Sequence, residues 1–284
     1  MLDYDGQPML DYAPCRYGES KVDFRGPLRA LKPPYIACLG GTEFYGKYLH
    51  HPIPDLLEEQ LGETCLNLGR TNAGLDMFAV DAEVMRLASQ ASVAVVQITS
   101  AHNISNRFYT VHPRRNDRFI APTELLRAVF PEVDFTTIHF TRHALQELRR
   151  VSPSRFRVVV DELKCVWTTR MLDMLSRIDA QVVLFWMGDH SPDHEKTASV
   201  RDPLFVDRTM LEVLRPHVAQ IVECIVSIEA QPPEVDDMVC KAAERDIARF
   251  MFGPKAHAEA VAALLDPVRE ALQGASTQSS PKYA

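Results

Sequence analysis

Paired cysteines, long apolar runs and surplus positive charge are all scarce in this chain. Its six cysteines, Cys15, Cys38, Cys65, Cys165, Cys224 and Cys240, include no C-x-x-C pair. Most lie in apolar runs, where a free thiol behaves as a small hydrophobe. A disulfide framework or a metal site is therefore not expected, and a reducing compartment fits. No apolar stretch is long enough to cross a bilayer. The acidic start MLDYDGQPML has no apolar core of the kind a signal peptide carries. Basic residues number 31 against 38 acidic ones, a net charge of -7, which argues against general nucleic-acid binding. A cytoplasmic protein without membrane contact is expected. No internal repeat is visible.

The chain does have a core to bury: 46% of its 284 residues are hydrophobic. Residues 1–32 read as an irregular arm. Apolar strand signals follow at 35–39, 64–69, 92–99, 181–188 and 219–228. Helical patterns lie between them at 52–63, 71–90, about 155–178 and about 203–215. Strands alternating with helices, and strands apolar on both faces, point to a three-layer α/β domain around a parallel sheet. Residues 102–150 are too long for a simple crossover and read as an insertion after the third strand. The α/β domain is expected over 33–232, two C-terminal helices over 233–273, and an unstructured tail over 274–284. The apolar stripe of those helices, including Met238, Ala242, Ile247 and Phe250, fits core packing or a homo-oligomer contact.

Chemistry concentrates where the strands end. PPYIACLGGTEFYG, residues 33–46, runs a strand into a glycine corner that displays Thr42. Such a corner can aim a hydroxyl and several backbone N–H groups at one point, as nucleophilic catalysis and anion binding require. A threonine there can equally cap a helix. NLGRTNAG (67–74) ends the second strand with Gly69 and Gly74. QITSAHNISN (97–106) ends the third with Asn103 and Asn106. Their local alternative is turn chemistry.

The order of these motifs resembles the SGNH (GDSL-like) hydrolase superfamily. GGTEFYG is similar to that family's Gly-Asp-Ser corner, with Thr42 at the serine position. Gly69 or Gly74 is similar to its second block and Asn103 to its third. The resemblance implies a flavodoxin-like, SGNH-like parallel sheet with a C-terminal helical extension. It also implies an oxyanion held by Gly69 or Gly74 with Asn103. Gly41 stands where the family has aspartate, and the Asp-x-x-His expected after the last strand is absent from SIEAQPPEVDDMVCK. Along most of its length the chain also resembles a bacterial family defined as a domain of unknown function. ACLGGTEFYGKY, NLGRTNAGLD and NRFYTVHPRRNDRF carry that resemblance.

Two segments compete to complete the site. WMGDHSPDHE (186–195) follows a core strand and holds Asp189–His190 and Asp193–His194. His190, with Asp189 beside it, is the candidate general base, against a plain loop-surface role. NRFYTVHPRRNDRF carries Arg107, Arg114, Arg115 and Arg118, whose guanidinium forks match anionic oxygens. The alternative is a solvated, salt-bridged loop. Arg142 and His143 read as a solvent-facing helix surface. The expected function is that of an esterase or acyltransferase for a small acyl group on a small molecule or glycan, with no cofactor. The alternative is a non-catalytic protein binding an anionic ligand or glycan. An imidazole in reach of Thr42 separates the two.

Overall fold

The computed structural model describes residues 9–193, 202–231 and 235–278. The chain runs through β1 (Ile36–Gly40), α1 (Thr42–Tyr45), α2 (Ile53–Leu61), β2 (Cys65–Gly69), α3 (Leu75–Ala79), α4 (Ala82–Gln90) and β3 (Val93–Gln97). An insertion follows with β4 (Tyr109–His112), β5 (Arg115–Pro122), α5 (Glu124–Val129) and α6 (Thr141–Val151). The rest is α7 (Pro153–Ser176), β6 (Gln181–Gly188), α8 (Arg208–Leu214), β7 (Gln220–Ile225), α9 (Arg245–Ala248) and α10 (Pro254–Gln278).

The central sheet has five parallel strands in the order β2-β1-β3-β6-β7, which is the flavodoxin-like order. Every residue of β1, β2 and β3 is buried, as helices on both faces require. One face carries Ile36, Cys38, Val95, Phe185 and Met187 against α2 and α10. The other carries Ala37, Leu39, Val96, Leu184 and Trp186 against α3, α4, α7 and α8. Each such large side chain taken from water contributes about 1.5–3 kcal/mol, so the alternating inward faces of these short strands hold the three layers together. The chain reverses direction across the sheet between β1 and β3, and the crevice of such sheets opens there, beyond the strands' carboxyl ends.

Three local expectations change. The single helix read at 71–90 is two, because Asp81 caps α4 by accepting from the Glu83 and Val84 N–H groups, 3.0 and 3.1 Å. The Ser20 hydroxyl of the arm holds the same carboxylate at 2.8 Å. The first of the two helices expected over 233–273 is a set of short 3-10 turns and the four-residue α9. There Val239 N–H bonds the Tyr48 carbonyl and Tyr48 Oη bonds Glu244, so tertiary ties replace helical ones. Met238 is buried as expected, whereas Ile247 and Phe250 are exposed. The helix α10 continues to Gln278, past the expected start of the tail at 274.

Two histidines are sealed into this fold. His102 and His257 are each 1% exposed, and removal from water pushes their pKa from 6.5 to about 4 and about 3. The folded protein keeps both neutral, while the unfolded chain protonates them below pH 6.5. Unfolding therefore takes up protons, and stability falls as pH drops from about 6.5 towards 4. Urea unfolding at pH 5 should show a loss on the order of 3–4 kcal/mol relative to pH 7 from this pair. His257→Leu should remove about half of that pH dependence, whatever it does to stability at pH 7.

Candidate functional site

Gly41, not Thr42, occupies the cap position of α1, and Thr42 is its first helical residue. No side chain caps this helix, so the capping reading of Thr42 falls. The Thr42 hydroxyl instead accepts the Asn72 N–H, 3.1 Å away, from the turn after β2. Asn72 holds φ at +54°, a conformation asparagine tolerates better than most residues. The Asn72 carbonyl in turn lies 3.5 Å from Asn103 Nδ2, at the outer limit of a hydrogen bond. Thr42, Asn72 and Asn103 thus sit together where β1, β2 and β3 end.

The orientation of Asn103 is set from behind. The buried Thr141 hydroxyl donates to Asn103 Oδ1 at 2.7 Å, which fixes the oxygen inward and leaves the amide N–H groups towards Asn72. The N–H groups of the two glycines expected as oxyanion donors both have side-chain acceptors. Gly69 N–H donates to Asn67 Oδ1 at 2.9 Å, and Gly74 N–H to the buried Asn116 Oδ1 at 3.0 Å. The backbone donor beside Thr42 is that of Asn72. Gly74 serves close packing: a Cβ there would lie 2.0 Å from the Asn103 carbonyl oxygen. Gly74→Ala should therefore displace Asn103 and cost about 1–3 kcal/mol, read as a lowered melting temperature.

A second group of polar side chains occupies the β1–β3 junction. The buried Gln97 accepts the Gly41 N–H on Oε1 at 2.7 Å and donates from Nε2 to Glu43 Oε2 at 2.7 Å. Gly40 permits this approach, since a Cβ there would sit within 2.4 Å of Gln97 Oε1. Removal from water raises the Glu43 pKa, and the charge of Asp202 adds to the rise, while Gln97 and Arg142 oppose it. Asp202 accepts from Arg142 Nη2 at 2.6 Å and from the Ser100 hydroxyl. Arg142, read from sequence as a solvent-facing helix residue, thus acts at this junction through Asp202 and Glu43.

His190 lies at the carboxyl end of β6, buried, with Nδ1 2.7 Å from Asp189 Oδ1. Trp186 Nε1 donates to its carbonyl at 2.9 Å, and the indole meets the imidazole edge to face. The adjacent pair therefore does touch. Among the described residues, however, no imidazole bonds the Thr42 hydroxyl and no group accepts its proton. His194 lies outside the described residues. The four loop arginines do not converge. Arg107 pairs with Glu162 of α7 at 2.6 Å, and the Arg118 guanidinium stacks 4.3 Å over Phe140. Arg114 and Arg115 are exposed at the β4–β5 turn. It is Asn116 and Asp117 of this hairpin that face the crevice, bonding Gly74 and the Asn72 amide. No sequence signal marked Asn72, Gln97 or Asp202, because each gains its role from a partner distant in sequence.

No curated protein matches the chain. Among solved structures, an extracellular lipase from Streptomyces rimosus superposes with a TM-score of 0.40 at 8% identity, covering 84% of this chain and 99% of that one. A gut microbial diltiazem-metabolizing enzyme superposes with a TM-score of 0.30 at 11% identity, covering 67% of this chain and 34% of that one. Neither likeness bears on the chemistry of the site. No helix among the described residues is long and apolar enough to cross a membrane. The family described as Domain of unknown function (DUF6473) matches residues 1–272, and the chain belongs to it.

Proposed function

We propose that the carboxyl-edge crevice is a hydrolase-like acyl-transfer site, that of an esterase or acyltransferase for a small acyl group, with Thr42 Oγ as the attacking atom. One observation carries this reading: Thr42 Oγ, the Asn72 N–H and the Asn103 amide form a connected run across the ends of three neighbouring parallel strands. Attack by Oγ turns the acyl carbonyl oxygen into an alkoxide. The Asn72 N–H, released from Oγ as it attacks, and Asn103 Nδ2 are the donors for that charge. A single donor of this kind is worth about 10²–10³-fold in rate. With no described acceptor bonded to the Thr42 proton, the resting hydroxyl is not activated, and turnover is slow.

The anion-binding reading is weaker, because Arg107 and Arg118 are engaged in separate contacts rather than gathered round one cradle. A covalent trap tests the acyl-transfer reading. An aryl fluorophosphonate gives up fluoride as Oγ bonds phosphorus. Peptide mapping should then place the adduct on Thr42. Adducts spread over surface nucleophiles, with none on Thr42, would overturn the reading.

A further inference from the structure

Besides Asp117, Asp189 and Asp202, which bond Asn72, His190 and Arg142 respectively, three side chains near this edge can exchange a proton: His102, His190 and Glu43. His102 is sealed at 1% exposure, and its Nδ1 has no hydrogen-bond partner among the described residues. His190 is turned towards Asp189, and its ring rests on Trp186. Glu43 alone stands at the β1–β3 junction, on the same helical turn as Thr42. We infer that Glu43, rather than a histidine, is the proton-exchanging group of the crevice, with its dissociable proton on Oε1.

The atom assignment follows from Gln97. Its Oε1 must accept the Gly41 N–H, so its Nε2 faces Glu43 as a donor. Glu43 Oε2 is therefore an acceptor in both charge states, which favours Oε1 as the proton's place, while the Glu43 N–H adds a further bond to the carboxyl. Among the described residues no other side chain bonds the Glu43 carboxyl. The charged groups facing it are Asp202, before α8, and Arg142 of α6, which pair with each other at 2.6 Å. Burial and Asp202 favour the neutral form, whereas Gln97, the Glu43 N–H and Arg142 favour the ionised one. The carboxyl is therefore held above the ordinary glutamate range without losing its hydrogen bond.

This inference rests on Thr42 as the attacking group. The ionised Glu43 takes the Oγ proton as the Oγ–acyl bond forms, and passes it to the departing oxygen as the ester C–O bond breaks. Water then releases the acyl group by the reverse sequence, and no proton is gained or lost overall. Because the ionised form starts the cycle, kcat/KM should fall as pH is lowered through the raised Glu43 pKa.

The first arm of the test needs no substrate. Carbon-13 NMR of glutamate-labelled protein, with Glu43→Gln as the assignment control, reads the carboxyl directly. Its midpoint should lie above the ordinary 4.5 and move further up in Gln97→Met, which removes the donor to Oε2. The second arm is the pH profile of aryl-ester turnover. Glu43→Gln should lower kcat/KM and erase the acid limb, while His190→Gln keeps that limb. A Glu43 midpoint in the ordinary range, or an acid limb that survives Glu43→Gln and disappears in His190→Gln, would overturn the inference. Failure of the Thr42 reading is separately visible as turnover that persists in Thr42→Val.

Discussion

Arg25→Met should be among the most destabilising single substitutions in this protein, lowering the free energy of unfolding by at least about 3 kcal/mol. Arg25 belongs to the N-terminal arm and is only 6% exposed. Its guanidinium donates to the carbonyls of Tyr45 at 3.1 Å, Gly46 at 2.7 Å, and Leu49 and His50 at 2.8 Å each. No carboxylate pairs with it directly among the described residues. Burial lowers its pKa, and the nearby Asp55 partly offsets that. The cation is therefore held by carbonyl dipoles of the loop that follows α1.

Methionine keeps much of the apolar stem but leaves those carbonyls without a donor, and each buried one costs about 1–3 kcal/mol. Lysine would not rescue the loss, because a single ammonium cannot span the four acceptors that the planar fork reaches. The loss is large against a typical total stability of about 5–15 kcal/mol. Urea unfolding of wild type, Arg25→Met and Arg25→Lys measures it. A change below about 0.5 kcal/mol, the range of ordinary surface substitutions, would mean that the arm contributes little to holding the corner.

The parallel sheet was legible because its signal is local: SVAVVQIT and QVVLFWMG are β-branched, apolar and short. The corner was legible for the same reason, since glycine, threonine and glycine mark a sharp turn after a strand. What could not be read were roles assigned across strands. Gln97 looks like the last residue of a strand, yet its amide joins Gly41 to Glu43. Glu43 looks like an acid in a helix first turn, where a carboxylate is commonplace. Arg142 looks like the polar face of an amphipathic helix until Asp202, some sixty residues on, comes beside it. Gly69 or Gly74 is an oxyanion donor only by the resemblance to the SGNH family. The buried Asn67 and Asn116, 7% and 1% exposed, accept those amides.

The largest functional effect should come from Thr42. Thr42→Val is nearly isosteric and removes only the hydroxyl, so Oγ can neither accept the Asn72 N–H nor attack an acyl carbon. The lost bond is worth about 0.5–1.5 kcal/mol, small enough that the variant should fold. Thr42→Ser keeps the oxygen and removes the methyl beside it, so it should match or exceed wild type. Any turnover retained by wild type without a pre-bonded base is expected to be modest, because aligned general-base assistance is worth about 10²–10⁴-fold. Donors at the alkoxide still sustain part of the catalysis when the base is not aligned.

The most direct test is therefore turnover of a short-chain aryl ester by purified wild type, Thr42→Ser and Thr42→Val, each with a thermal melt to confirm folding. Acyl transfer at Thr42 predicts slow turnover above buffer in wild type, equal or faster turnover in Thr42→Ser, and none above buffer in a folded Thr42→Val. Equal rates in wild type and Thr42→Val would contradict it and leave Thr42 as a residue of the turn alone.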